Sequence, residues 1–114
     1  MAKNLEEGYE VNEGEVKLTI LIGNAQIGTS SVKLNDTVLY TGDVSGLLIG
    51  KGAEISGKIL SIKTVVTDVN DKTNLTNVYY ELKGGKVDKK YNLEELASEE
   101  GASVIYRAKF NLKA

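Results

Sequence analysis

Between Lys58 and Lys83 apolar and polar residues alternate twice, as KILSIKTVVT and LTNVYYELK, around the polar loop DVNDKTN. A period of two marks a strand with one buried and one solvated face. The pattern predicts a long hairpin, with Leu60, Ile62 and Val66 inward on its first arm and Thr76, Val78, Tyr80 and Leu82 inward on its second. The same alternation predicts a strand over Glu15–Ile22, with Val16, Leu18, Ile20 and Ile22 inward. It also predicts a long final strand, with Ala102, Val104, Tyr106, Ala108, Phe110 and Leu112 on its buried face. Shorter strands are expected over residues 29–34 and 37–41, separated by the turn-forming pair Asn35-Asp36. The stretch from Gly42 to Gly57 is punctuated by glycine, and its apolar run Leu47–Ile49 reads as a short buried strand or a loop folded over the core.

One segment departs from this period. Asn92 is followed three residues later by Glu95, the spacing of a capping box, and Leu93, Leu96 and Ala97 recur at helical intervals before Gly101. One to two helical turns are expected here, just before the last strand. Residues 1–8 are expected to form a flexible tail. Six to eight strands without a long helix predict an all-β protein. The expected fold is a two-layer antiparallel β-sandwich, immunoglobulin-like or jelly-roll-like, with one short helix before the last strand. The cysteine pair and tryptophan of a true immunoglobulin domain are absent, so both topologies stay open. A chain of 114 residues with no internal boundary is expected to be a single domain, 1–114.

Composition narrows the chemistry. The chain is 41% hydrophobic and 26% charged, a globular balance and not a disordered one. It has no cysteine and no histidine, which removes disulfides, thiolate chemistry and the commonest general base and transition-metal ligand. Serine nucleophiles have no histidine partner, and the carboxylates fall mostly in turns and tails. The protein is therefore expected not to be an enzyme. A net charge of −2 provides no overall field for nucleic acid or anionic lipid. The basic cluster Lys83, Lys86, Lys89, Lys90 is followed by the acidic Glu94, Glu95, Glu99 and Glu100, a compensated and solvated region with only Tyr91 as a nearby aromatic. No nucleic-acid or membrane partner is expected. No apolar run approaches the ~20 residues of a membrane helix. The polar, acidic start lacks the apolar region of a signal peptide, and the expected location is cytoplasmic.

Two candidate sites remain. Asp68, Asn70, Asp71 and Asn74 place four side chains with carboxylate or amide oxygens in one loop, the donor type calcium prefers. Calcium is thus the one ion expected if any is bound, and no other cofactor is expected. The loop lacks the glycine and the closing glutamate of an EF-hand, where Thr73 and Tyr79 stand. Asp and Asn are also what turns use, because they bond their own backbone. SGLLIGKG fails as a phosphate loop, since Ser45 replaces its first glycine and Gly52 its hydroxyl residue. The second candidate is an interface: Leu21, Ile59, Val65, Tyr79 and Ile105 fall on otherwise polar strand faces, and gathered together they would mark a contact surface. The long strands contain no proline to blunt their edges, so edge pairing is a second route to assembly, which Lys63, Arg107 and Lys109 would discourage.

The expected function is that of a non-catalytic interaction or structural module, self-associating or part of a larger assembly, with a protein partner or further copies of itself. The alternative is a calcium- or carbohydrate-binding module built from loops, with Asp36 and Asp43 in other turns and Tyr79 or Tyr91 as stacking platforms.

Overall fold

The computed structural model describes residues 2–114 and consists of two packed β-sheets. The strands are β1 (Ala2–Glu10), β2 (Glu15–Ile22), β3 (Ile27–Leu34), β4 (Thr37–Gly42), β5 (Leu47–Lys51), β6 (Ile59–Thr67), β7 (Leu75–Lys83), β8 (Lys89–Leu96) and β9 (Ser103–Lys113). A single helical turn, α1 (Gly52–Ile55), joins β5 to β6. Sheet A has the order β1-β9-β6-β3-β4, and sheet B the order β5-β2-β7-β8. Only β3–β4 and β7–β8 are sequence neighbours within a sheet. The fold is the expected all-β sandwich. No helix among the described residues is long and apolar enough to cross a membrane.

Alternation explains the layers. Val16, Leu18 and Ile20 of β2, Val78, Tyr80 and Leu82 of β7, Leu60, Ile62 and Val66 of β6, and Val104 to Leu112 at every second position of β9 are all buried in one core. Phe110 lies at its centre, edge-on to Tyr80 of the opposite sheet at 6.5 Å and 5.5 Å from Tyr91. Tyr9 and Val11, each 1% exposed, close the core at one end.

Four expectations are corrected. The arms of the expected long hairpin are both strands, but β6 lies in sheet A and β7 in sheet B. Their apolar rows face each other across the core, which buries both, whereas a hairpin would set them side by side. Of the expected tail over 1–8, residue 1 lies outside the described residues and residues 2–8 are not a tail: β1 pairs with β9 in parallel, from Ala2↔Ile105 to Glu10↔Lys113, so the sandwich is not purely antiparallel. The helix expected before the last strand is absent. Lys89–Leu96 forms β8, paired with β7 from Leu75↔Leu96 to Leu82↔Lys89. Tyr91 and Leu93 also share a period-two face, and the ladder along β7 outweighs one or two isolated helical turns, which are marginal in water. Asn92 accepts a hydrogen bond from the Asn77 side chain across this ladder instead of capping a helix. Finally, Lys63, Arg107 and Lys109 cannot protect an edge, because β6 and β9 are interior strands.

Gly84 shows how tightly the sheet ends are drawn together. Its φ is +93°, and a Cβ there would sit 1.8 Å from the carbonyl oxygen of Glu15. Only glycine adopts that backbone and permits that approach.

The core also holds a layer of hydroxyls. Ser30 and Thr64 are hydrogen-bonded at 2.8 Å. Thr76 donates to the carbonyl of Glu95 at 2.7 Å, which leaves its oxygen to accept from the Tyr106 hydroxyl at 2.5 Å. Burial raises the pKa of the Tyr106 hydroxyl, and the Thr76 bond partly opposes this. Burial raises that of Tyr80 further, and the Tyr80 hydroxyl has no hydrogen-bond partner among the described residues. Thr76→Val keeps the volume but strips Tyr106 and Glu95 of their partner. It is expected to cost about 1–3 kcal/mol in chemical denaturation. Combined with Tyr106→Phe it should cost less than the two single losses added, since the two groups share one bond. Additive losses would show that the hydroxyls do not support each other.

Candidate functional site

The outward residues of sheet A fall into rows fixed by register. One row runs Asn4–Arg107–Lys63–Ser31 and the next Glu6–Lys109–Ser61–Lys33, across β1, β9, β6 and β3. Neighbouring strands lie about 4.8 Å apart, so the four cations form a tight group. They line a shallow depression of about 700 Å³, together with the two serines, Asn4 and Glu6. Arg107 and Lys63 are directly opposed. Like charges in that position destabilise a sheet. None of the four takes part in an ion pair among the described residues, where Lys83 and Lys90 bind Glu81 and Lys86 binds Glu10. The one carboxylate in the depression, Glu6, accepts instead from Asn111 at 3.4 Å. A local rule is thus broken in the middle of a regular sheet, which is where functional surfaces are expected.

The sequence-predicted interface is divided between two faces. Val65 and Ile105 are paired on the outer face of sheet A, one row beyond Arg107 and Lys63, and Ile59 lies on the other side of the cation rows. Leu21 and Tyr79 are paired on the outer face of sheet B, on the far side of the molecule. Tyr91 turns inward against Phe110, which removes it as a stacking platform. Asp36 lies in the β3–β4 turn beside Ile59, whose N–H donates to Asn35. That is the opposite end of β6 from Asp68, about 30 Å away at a strand's rise.

The loop between β6 and β7 is held by Gln26, buried immediately before β3. Its Oε1 accepts from the N–H groups of Val69 and Asn70 at 2.7 and 2.9 Å, and its Nε2 donates to the carbonyls of Thr73 and Leu75. The Asn70 side chain accepts from Lys72 N–H within the loop and donates to the Asn24 carbonyl in the β2–β3 connection. Of Asp68, Asn70, Asp71 and Asn74, only Asp68 is buried, and Asp71 and Asn74 are exposed. No group of three or more acidic, histidine or cysteine side chains among the described residues is placed to hold a metal. Asp68 alone turns inward: it is fully buried, and neither carboxylate oxygen has a hydrogen-bond partner.

Nothing in the sequence alone sets Lys33 apart, and Lys63, Arg107 and Lys109 have the pattern of edge charges. The available signal was one lysine on the wet face of each of β3 and β6, and Arg107 and Lys109 on that of β9. Their adjacency follows only from strand order. No family model, curated protein or solved structure matches this chain.

Proposed function

We propose that the protein is a non-catalytic interaction module that self-associates, the cationic outer face of sheet A docking on the acidic surface of a second copy. The observation that carries this reading is the group of four unpaired cations, Lys33, Lys63, Arg107 and Lys109, held together at a like-charge cost in a chain of net charge −2. A basic face on an acidic molecule leaves the remaining surface acidic, so copies are complementary to one another. Two different patches in contact make a heterologous interface, which closes into a ring or extends as a filament. The flanking Val65 and Ile105 supply apolar area beside the charges. The face carries no aromatic platform, which sets it apart from single-strand nucleic-acid surfaces.

Sedimentation velocity tests this. At low ionic strength the protein is expected to form discrete oligomers or a growing series. It should dissociate as salt shortens the Debye length from about 30 Å at 0.01 M towards about 3 Å at 1 M. The double charge reversal Lys63→Glu with Arg107→Glu removes the opposed cations on a solvated face and should yield a folded monomer at every salt concentration. A wild-type monomer at low salt and high protein concentration, or oligomers that survive the double reversal, would overturn the proposal.

A further inference from the structure

We propose that Asp68 anchors a binding site for one divalent cation, calcium being the ion its chemistry fits, where the β6–β7 and β8–β9 connections meet. This is independent of assembly through sheet A. Asp68 continues the inward row of β6 past Val66, with no exposed surface and both carboxylate oxygens unpartnered. Gln26, Ser30, Thr64 and Thr76 are all hydrogen-bonded, and the Tyr80 hydroxyl is the one other buried side-chain group without a partner among the described residues. A carboxylate taken out of water without a partner is among the costliest arrangements in a protein, and a bound cation removes that cost. No lysine or arginine among the described residues forms an ion pair with it.

Further negative charge gathers at the same place. Asp68 N–H donates to the Ala102 carbonyl, and Gly101 N–H donates to the Asp68 carbonyl, both at 2.9 Å. These bonds fix the turn that carries Glu100 against the start of the loop that carries Asp71. Glu100 thereby lies within electrostatic reach of Asp68 and Asp71. Glu100 and Asp71 are exposed, so their side chains are free to swing towards an ion. The Gln26 clamp keeps the loop backbone in place meanwhile.

The donor set selects the ion. A chain without histidine or cysteine offers only oxygen, which favours hard cations over zinc or copper. Calcium accepts six to eight oxygens in irregular geometry, including backbone carbonyls and water, whereas magnesium demands a near-ideal octahedron. One fixed carboxylate, with the exposed Asp71 and Glu100 and water to complete the shell, suits calcium's irregular geometry.

The test uses the full chain stripped with a chelator, in salt high enough to suppress charge-driven assembly. Calcium, magnesium or manganese is then added while thermal unfolding is followed, and native mass spectrometry counts the ions. Calcium is expected to bind once per chain and to raise the melting temperature by about 5 °C at ten times its dissociation constant. Asp68→Asn should abolish the shift, and Glu100→Gln should weaken the apparent affinity several-fold. No shift with any of the three ions overturns the site, and so does a calcium shift that survives Asp68→Asn. Should Asp68→Asn fail to fold, Glu100→Gln and Asp71→Asn change only exposed side chains, and an unaltered calcium response in both overturns the site equally. Because the read-out is taken where assembly is suppressed, its failure leaves the sheet A proposal standing, and the converse holds.

Discussion

Phe110→Ala is expected to destabilise the fold by about 3–5 kcal/mol, the largest loss of any single substitution argued for this protein. Phe110 has no exposed surface and lies on β9, the strand flanked by both β1 and β6. Its ring meets Tyr80 from sheet B edge-on at 6.5 Å and Tyr91 from β8 at 5.5 Å. It therefore ties the interior of one sheet to two strands of the other. Truncation removes the transfer free energy of the ring and leaves a cavity whose walls are pleated sheet, which collapses poorly. At about 4 °C per kcal/mol for a domain near this size, the melting temperature should fall by about 12–20 °C. Phe110→Leu retains most of the volume and should lose far less, about 1–2 kcal/mol. Urea denaturation followed by far-ultraviolet circular dichroism measures both, with an unchanged slope marking an unchanged denatured state. A loss below about 1 kcal/mol for Phe110→Ala would mean that the sheets are not joined through this ring.

Position along a strand was legible in the sequence; position between strands was not. The inward rows of β2, β6, β7 and β9 follow from alternation alone, because a side chain's face depends only on odd or even place. Which strands are neighbours depends on contacts between residues far apart in the chain. The β6–β7 connection shows the difference. DVNDKTN has the composition of a hairpin loop, yet it carries the chain from one sheet to the other. Two buried apolar faces gain more by facing each other than by lying side by side. Lys89–Leu96 failed for another reason. Its sequence satisfies two periods at once, and the unpaired ladder of β7 decided between them. The same blindness hid the cationic face. Lys33, Lys63, Arg107 and Lys109 are ordinary wet-face residues singly and become a group only when β3, β6 and β9 are set side by side. In the acidic loop, composition could not separate residues that serve the turn from one that is buried. Asn70 serves the backbone, as turn chemistry would have it, while Asp68 belongs to the inward row of β6.

The N-terminal strand gives the second large effect. Tyr9→Ala is expected to cost about 3–4 kcal/mol and to release β1 from sheet A. Most residues of β1 are exposed or only half-buried, and the strand is joined to the sheet along one side only. Its hold is therefore concentrated at its end. The Tyr9 ring is 1% exposed, and its hydroxyl accepts from Gly85 N–H at 2.9 Å. Burial raises the pKa of that hydroxyl, and the Gly85 bond partly opposes this. Val11 follows, also buried, with its N–H donating to Lys113 at 2.7 Å. Removing the ring takes away the apolar anchor and the link to the β7–β8 turn together. What remains is a parallel ladder at a sheet edge, with polar side chains on its open face. Tyr9→Phe separates the two contributions, because it keeps the ring and leaves Gly85 N–H unpartnered, at about 1–2 kcal/mol. Amide hydrogen exchange reads the location directly. In Tyr9→Ala, protection should fall across residues 2–10 while the interior strands β6 and β3 keep theirs, because edge elements open below the global unfolding free energy. Unchanged protection over residues 2–10 together with an unchanged melting temperature would show that the parallel ladder alone holds β1. The acidic Glu6, Glu7 and Glu10 would then be the place to look for what retains it.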